Sequence, residues 1–217
     1  MKSALIITSL INDAVRLRKD LLEAPYDMII CCDGGTDRAA ELGITPDIII
    51  GDFDSAEGVY VPDKDDGVEV VALPHEKDVT DTEAACDLAY SRGAGVMTVV
   101  GGIGGRLDHT MANIGVMSKY LGKADIFMID GDNFVRMLAP GKHMIVSAGY
   151  TYLGLIAYGG PVKGLTEKGT LYELDDFDLS PSTSLAVSNE IVSDPAVISF
   201  EDGQLLVIQS DDALPSL

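Results

Sequence analysis

The sequence has 217 residues, 47% of them hydrophobic, so it is long enough to form one or two domains with buried cores. Its 35 acidic residues against 15 lysines and arginines give a formal charge of −20, which disfavours nucleic acid and anionic membranes and favours cationic ligands and metal ions. No apolar stretch reaches the roughly 20 residues that a membrane-spanning helix needs. Without a signal-peptide pattern, and with three cysteines lacking C-x-x-C spacing, we expect a cytoplasmic protein.

The first part of the chain alternates between short apolar runs, rich in β-branched residues, and segments of helical periodicity. The runs fall at residues 4–8, 28–32, 48–50, 68–73, 97–100 and 126–129. Almost continuous apolar character is typical of parallel strands that are covered on both faces. The pattern predicts an N-terminal α/β domain with a mostly parallel sheet over residues 1–132.

Two helices are the clearest in this part, over residues 82–91 and 109–121. Thr80 and Glu83 have the spacing of a capping box, which predicts that the first helix begins beside Thr80. Asp108 precedes the second helix and is its predicted N-terminal cap.

From about residue 133 the helical periodicity is absent and short alternating runs are separated by Gly, Pro and Asp. The runs fall at residues 143–146, 152–157, 171–174, 185–187, 197–200 and 205–209. The segment 200–204, with the sequence FEDGQ, resembles a tight hairpin between the last two strands. We predict an all-β sandwich as the C-terminal domain, residues 133–217, supported by the first domain or by a second subunit because a small sheet with exposed edges is weak alone.

Polar residues follow four of the predicted parallel strands. In an open parallel sheet, ligands bind at the carboxyl ends of the strands, so these segments should converge on one site. They are Asp33-Gly34-Gly35, Gly51-Asp52-Phe53-Asp54-Ser55, Lys77-Asp78-Val79-Thr80-Asp81 and residues 101–109.

The acidic residues of these segments are candidate metal ligands. In extended backbone, Asp52 and Asp54 would face the same point while Phe53 turns to the core. Two such carboxylates repel each other, and Mg²⁺ relieves this while also binding water and substrate phosphate. An acidic turn without a metal is the alternative. Asp81 would either complete the metal site or simply begin a helix.

The basic and glycine-rich residues point to phosphate. Lys77 can reach a phosphate oxygen or remain a surface lysine, whereas Arg106 follows the glycines of residues 101–105 and offers a planar fork that suits phosphate. Neither G-x-x-x-x-G-K-[ST] nor G-x-G-x-x-G is present, so a P-loop kinase and a dinucleotide-binding domain are not supported. Asp108 and His109 could cap a helix or contact substrate.

Five motifs in order resemble those of the thiamine pyrophosphokinase family over residues 28–209. They are Asp33-Gly34-Gly35 with Arg38, Pro46-Asp47 leading into residues 51–55, residues 77–81, Gly105-Arg106-Leu107-Asp108-His109 and Ser188-Asn189-Glu190. The resemblance implies a catalytic nucleotide-binding α/β domain and a β-sandwich for thiamine binding and dimerisation. It also implies a homodimer with active sites at the subunit interface, Mg²⁺ as cofactor, and transfer of diphosphate from the co-substrate ATP to the hydroxyl group of thiamine, which releases AMP.

The resemblance also implies roles for individual residues. The metal ligands would be Asp52, Asp54 and Asp81, which with Lys77 and Arg106 form the catalytic set. The ATP-binding residues would be Asp33, Gly34, Gly35, Asp37, Thr80, Arg106, Asp108 and His109. Ser188 and Asn189 would contact thiamine from the neighbouring subunit. The family usually has Asn where this chain has Asp37, which adds a negative charge near the phosphates. The base that deprotonates the hydroxyl is left open between Asp52, Asp81 and Asp108.

Two alternative functions use the same residues. A related diphosphokinase could act on a pterin alcohol, and a non-catalytic protein could bind nucleotide or thiamine as a sensor. Thiamine carries a permanent positive charge, which suits a protein of charge −20. Formation of AMP distinguishes a diphosphokinase from a sensor.

Overall fold

The computed structural model describes residues 1–11, 17, 24–53, 67–74, 76 and 78–212. The chain divides into two compact units, Met1–Gly131 and Asp132–Leu217. Within the described residues, the longest helices are too short or too polar to cross a membrane.

The N-terminal unit contains a six-stranded parallel sheet. Its strands are β1 (Lys2–Ile7), β2 (Met28–Cys32), β3 (Ile48–Gly51), β4 (Glu69–Ala72), β5 (Ala94–Val100) and β6 (Asp125–Ile129). Their order is β4-β3-β2-β1-β5-β6, and every pairing within this set is parallel. The middle of the sheet is the most buried, because Leu5, Ile6 and Ile7 of β1 have no exposed surface. The predicted parallel α/β unit is confirmed.

The described helices of this unit are α1 (Gly35–Glu41), α2 (Asp81–Ser91) and α3 (Leu107–Tyr120). The predicted cap of α2 is confirmed, since the Thr80 hydroxyl accepts a hydrogen bond of 3.2 Å from the backbone N–H of Glu83. The predicted cap of α3 is wrong. That helix begins two residues earlier than predicted, and Asp108 lies in its first turn, because Arg106 has the extended backbone of the capping position.

Gly35 begins α1 at a point where this helix lies against the backbone of β1. A Cβ atom at Gly35 would lie 2.2 Å from the carbonyl oxygen of Ile7. Such an approach is possible only for glycine, so the residue is required by the packing of α1 on the sheet.

The C-terminal unit is built from antiparallel strands. They are β7 (Asn133–Leu138), β8 (Gly141–Ile145), β9 (Tyr152–Lys168), β10 (Leu174–Leu179), β11 (Ala196–Phe200) and β12 (Asp202–Ser210). One sheet has the order β7-β12-β9, and the other contains β8, β11, β9 and β10. The 17-residue strand β9 belongs to both sheets, and their inward faces share one apolar core. The predicted antiparallel, β-rich character is confirmed.

Two glycines change the direction in which β9 presents its side chains. Gly159 and Gly164 have positive φ values of 71° and 64°. The buried side chains of β9 are Leu153, Leu155, Ala157, Val162, Leu165 and Glu167. The alternation of buried residues is therefore interrupted between Ala157 and Leu165, where β9 passes from one sheet to the other.

The predicted hairpin between the last two strands is wrong. Instead of pairing with each other, β11 and β12 both pair with β9, through Ser199 opposite Thr166 and Gln204 opposite Tyr158. Gly203, with φ of 99°, lies at the bend, where a Cβ atom would be 2.6 Å from the carbonyl oxygen of Pro161. β11 therefore pairs with β9 in one sheet, and β12 pairs with β9 in the other.

Other strand boundaries in this unit also differ from the prediction. Residues 185–187 form a turn, β10 begins only at Leu174, and β7 was not predicted. Half-exposed strands with acidic residues, such as β10, lack the apolar alternation on which the prediction depended.

Candidate active site

A cleft of about 340 Å³ lies at the carboxyl ends of the parallel strands. Its walls come from the segments after β1, β2 and β3 and from the beginnings of α2 and α3. It is lined by Thr8, Ser9, Leu10, Cys32, Asp33, Gly34, Asp52, Thr80, Asp81, Thr82, Arg106 and His109. Seven of the residues predicted for nucleotide, metal or catalysis are in this set: Asp33, Gly34, Asp52, Thr80, Asp81, Arg106 and His109.

The acidic part of the cleft consists of Asp33, Asp52 and Asp81, which come from three separate segments. The expected extended backbone after Asp52 is wrong, because β3 ends at Gly51 and Phe53 has a left-handed φ of 55°. Asp54 lies outside the described residues, so its predicted place beside Asp52 remains a prediction.

The glycine-rich segment before α3 is held in place by side chains from its surroundings. The Thr8 hydroxyl donates to the carbonyl of Gly101 at 2.6 Å, and the buried Asn113 amide donates to the carbonyl of Gly102 at 2.8 Å. The N–H of Gly104 donates to the Thr110 hydroxyl at 3.1 Å. These bonds fix the loop that carries Arg106 to the cleft.

Arg106 forms a two-point ion pair with Asp108. Its Nε and Nη2 atoms lie 3.1 and 2.6 Å from the two carboxylate oxygens. The hydrogen bond from Arg106 holds the pKa of Asp108 below its usual range, and the same bond raises the pKa of Arg106. Both side chains are well exposed, at 71% and 64%, so the guanidinium group can exchange this carboxylate for another anion.

Three predicted ATP-binding residues are not part of the cleft wall among the described residues. Gly35 is buried under β1, Asp37 is exposed on the first turn of α1, and Asp108 is turned to Arg106. Lys77 lies outside the described residues. The roles of all four residues remain predictions.

The segment after β1 also belongs to the cleft, although it was not among the predicted site residues. Thr8, Ser9 and Leu10 line the cleft, and so do Cys32 and Thr82. The rule that ligands bind at the ends of parallel strands would have found Thr8, since it directly follows β1. Cys32 is both buried and part of the wall, and burial raises the pKa of its thiol well above the usual value, which disfavours the nucleophilic thiolate.

The cleft suits a magnesium ion that arrives with a phosphate ligand. Within the described part of the chain, which excludes Asp54, no three acidic, His or Cys side chains form a preformed metal cage. Asp52 and Asp81 nevertheless line the same space. Mg²⁺ commonly takes one or two carboxylates and completes its coordination with water and substrate phosphate, so the donor set fits.

A second cavity, of about 370 Å³, lies in the C-terminal unit between β9, β12 and the turn that carries Ser188. It is lined by Tyr152, Gly154, Ile156, Val187, Ser188, Ile208, Ser210, Asp211 and Asp212. One part is apolar and another is acidic, a combination that suits a cation with an aromatic or aliphatic body. Ser188 has a left-handed φ of 57°, so a tight turn brings it to the wall.

The predicted thiamine residue Asn189 is not in this wall. Its side chain is buried, and its Nδ2 atom donates to Oε1 of Glu167 at 2.9 Å and to the carbonyl of Tyr172 at 2.8 Å. Its Oδ1 atom accepts from the N–H groups of Tyr172 and Glu190 at 3.0 and 2.9 Å. Direct contact of Asn189 with thiamine therefore remains a prediction, and the observed bonds support the turn beside it.

The parallel α/β unit and the antiparallel unit each contain a cavity whose wall includes residues predicted for the site. Comparisons with known proteins identify the family. The family model described as thiamin pyrophosphokinase, catalytic domain, matches residues 20–128, and the one described as thiamin pyrophosphokinase, vitamin B1 binding domain, matches residues 142–205.

Among curated proteins, a thiamine pyrophosphokinase of Bacillus subtilis is 30% identical over 192 residues, which cover 86% of this chain and 89% of that protein. The crystal structure of thiamine pyrophosphokinase from Bacillus subtilis superposes with a TM-score of 0.83 at 27% identity, covering 98% of this chain and all of that one. That of the thiamin pyrophosphokinase from Geobacillus thermodenitrificans gives 0.82 at 28% identity, covering 97% and 98%. The chain belongs to the thiamine pyrophosphokinase family.

Proposed function

We propose that the protein transfers diphosphate from ATP to the hydroxyl group of thiamine by using the N-terminal cleft for the nucleotide and the C-terminal cavity for thiamine. The diphosphokinase activity itself follows from the family. The observation that carries the assignment of sites is the difference in their chemistry. The cleft combines Arg106 and the beginning of α2 with carboxylates that can hold a metal ion, whereas the cavity is lined by carboxylates and apolar residues without a basic side chain among its described lining.

The triphosphate of ATP fits the cleft through groups that bind anions. Arg106 can move from Asp108 to a phosphate oxygen at little cost, because the existing ion pair is exposed. The 11-residue helix α2 points its N-terminal end at the same space through Thr80 and Thr82, where the helix dipole favours negative charge. Lys77 is a further proposed phosphate contact on the strength of the family motif.

Asp52 and Asp81 are the described residues that would hold Mg²⁺, and Asp54 is proposed as a third ligand from the family motif. When bound, Mg²⁺ supplies positive charge that offsets the charge of the triphosphate. Diphosphoryl transfer depends mainly on positioning and charge neutralisation, so a nucleophilic side chain is not needed. We propose that the hydroxyl proton passes to Asp52, Asp81 or Asp108, the last of which is freed when Arg106 turns to phosphate.

The C-terminal cavity suits thiamine because its charges are negative and its walls are partly apolar. The hydroxyl of Tyr152 donates to the Asp212 carboxylate at 3.4 Å, and the N–H of Thr151 donates to Asp211 at 2.8 Å. The charge of Asp212 raises the pKa of the Tyr152 phenol. Ile156 and Ile208 supply the apolar wall against which a flat ring can lie.

Asp212→Asn should raise the KM for thiamine about fivefold and leave the KM for ATP unchanged, because the substitution removes one attractive charge from the cavity. Steady-state kinetics with each substrate varied in turn measures both constants. Asp176→Asn is the matched control, since Asp176 is exposed on β10 and its positive φ of 47° is tolerated by Asn. Equal thiamine KM values for Asp212→Asn and the control would remove Asp212 from the site.

We also propose a homodimer in which the cavity of one subunit meets the cleft of the other. Transfer requires the thiamine hydroxyl to reach the phosphate chain, although the two cavities belong to different units. Leu185 and Val187, in the turn beside the thiamine cavity, are exposed at 57% and 42%, as is typical of side chains that a partner covers. The family resemblance implies the same arrangement.

Mixing two inactive variants tests the shared sites. Asp52→Asn disables the cleft and Ile156→Arg blocks the cavity with a bulky cation. After subunit exchange in an equal mixture, half of the dimers carry one chain of each kind and one intact site, so about a quarter of wild-type activity should return. A monomer by light scattering, or no recovery after exchange confirmed by mass spectrometry, would contradict the proposal.

Incubation with ATP, Mg²⁺ and thiamine, followed by chromatography, tests the reaction. We expect thiamine diphosphate and AMP in equal amounts. ADP with thiamine monophosphate would contradict diphosphate transfer, and turnover of a pterin alcohol but not of thiamine would favour the alternative diphosphokinase. Binding of both ligands without turnover would favour a sensor. A cytoplasmic location also remains a proposal, supported by three buried cysteines that are all free.

A further inference from the structure

Glu167 is a buried carboxylic acid in the core of the C-terminal unit, and the reaction described above does not use it. Its exposed fraction is 1%. It lies on β9 opposite Leu174 of β10 and Ile198 of β11, so its neighbours across both strands are apolar. Burying a carboxyl group among apolar neighbours costs free energy, so apolar packing does not explain why Glu167 is at this position.

The hydrogen bonds of this carboxyl group are unequal. Oε1 accepts from the Asn189 amide at 2.9 Å, whereas Oε2 is buried and has no hydrogen-bond partner among the described residues. Oε1 therefore holds Asn189, whereas Oε2 lies in the core without a hydrogen bond of good geometry.

Asn189 connects Glu167 to the cavity wall. Its backbone N–H and carbonyl both pair with Leu153 of β9, at 3.0 and 2.7 Å. The residue before it is Ser188, which lines the cavity in a left-handed conformation. A change at Glu167 can therefore alter the cavity wall, since the Asn189 side chain and the peptide bond between Asn189 and Ser188 connect the two.

We propose that Glu167 is a positioning residue for thiamine: its buried carboxyl group holds the Asn189 amide and thereby keeps the Ser188 turn in the shape that binds the substrate. The inference rests on the proposed function, in which the cavity binds thiamine. Glu167 itself does not line the cavity, so it acts only through Asn189.

The environment of Glu167 makes this support dependent on pH. The pKa of Glu167 is raised to about 7, mainly by burial; hydrogen bonding to Thr170 and Asn189 offsets part of this rise, and the nearby carboxylate of Glu173 adds a little to it. Lys168 pairs with Glu173 and Asp175 at 3.4 and 3.6 Å.

The pKa in the folded state is above the ordinary value of 4.5, so the stability that the neutral group contributes is complete below pH 4.5 and is lost as the pH rises through 7. Ionisation requires water to reach Oε2. This opens the segment around Asn189 and distorts the Ser188 turn.

The test is a titration of the whole protein with thiamine alone, at pH 6 and at pH 8. For the wild type we expect the thiamine Kd to rise about threefold at pH 8. Glu167→Gln keeps the acceptor for Asn189 and cannot ionise, so its Kd should match the wild type at pH 6 and stay constant. Glu167→Leu removes the acceptor and should raise Kd about tenfold at both pH values, with the Kd for ATP unchanged. Glu201→Gln, on the exposed turn between β11 and β12, is the control for loss of one acid.

A wild-type Kd that is equal at both pH values, or a Glu167→Gln protein with the same pH dependence as the wild type, would overturn the inference. So would an unchanged Kd in Glu167→Leu. If that variant fails to fold, the comparison of Glu167→Gln with the wild type still decides. A wild-type protein that does not bind thiamine in this cavity would refute the proposed function and this inference with it, whereas normal binding without an effect of Glu167 refutes only the inference.

Discussion

Asp52→Asn should lower kcat by about 100-fold or more at saturating ATP and thiamine. Asp52 lines the cleft together with Asp81, and the substitution keeps the shape of the side chain while it removes one of the negative charges that would hold Mg²⁺. Because Asn is almost isosteric and Asp52 is only half buried, the free energy of unfolding should change little. Turnover is measured by product chromatography and folding by urea unfolding.

Asp125→Asn provides the matched control for this change. Asp125 is exposed at the beginning of β6, which is the opposite end of the sheet from the cleft. Its substitution should leave kcat within about twofold of the wild type. If Asp52→Asn keeps near-normal turnover at limiting Mg²⁺, Asp52 is not a metal ligand.

Gly35→Ala should destabilise the N-terminal unit by about 3 kcal/mol or more, because the new methyl group would collide with backbone rather than with a movable side chain. The alanine Cβ atom would lie 2.2 Å from the carbonyl oxygen of Ile7 and 2.9 Å from its carbonyl carbon. The expected result is a clear fall in the urea concentration at the midpoint of unfolding, as measured by circular dichroism.

Gly43→Ala separates the collision from the effect of backbone conformation. Gly43 has φ of 69° and open space around its Cβ position, so alanine there meets only the strain of a left-handed backbone, about 1 kcal/mol. Equal losses of stability in the two variants would show that the contact with β1 is not what requires Gly35.

The parallel sheet could be predicted from the sequence because its strands are buried on both faces. Ile48, Ile49 and Ile50 of β3, for example, are all almost fully buried, and such continuous apolar runs have few other interpretations. Strand β9 could not be predicted over its full length. The alternation of buried and exposed residues along β9 shifts by one position at Val162. That shift depends on bends at Gly159 and Gly164 that only tertiary packing fixes.

The last two strands illustrate the same difficulty. A segment of the type Glu-Asp-Gly commonly connects paired strands, and local sequence cannot distinguish that from a bend between strands that share a third neighbour. The long-range pairing of β11 and β12 with β9 decides in favour of the bend.

Much of the candidate site could be predicted because strand ends in a parallel sheet converge. Asp33, Asp52 and Arg106 come from distant segments and line one cleft. Glu167 could not be found in this way, since it lies in the polar run Thr166-Glu167-Lys168 and local sequence gives no sign that its side chain turns inward. Burial of a single acid within such a run depends on the register of β9 with its neighbours.

Separate titrations of the two substrates show whether nucleotide binds in the cleft and thiamine in the cavity. Calorimetric titrations would use thiamine and a non-hydrolysable ATP analogue with Mg²⁺, each added to Asp52→Asn and to Ile156→Arg. We expect Asp52→Asn to bind thiamine normally and the nucleotide weakly, whereas Ile156→Arg should bind the nucleotide normally and lose thiamine binding. The opposite pattern, or a loss of thiamine binding in Asp52→Asn with normal binding in Ile156→Arg, would contradict the assignment of the two sites.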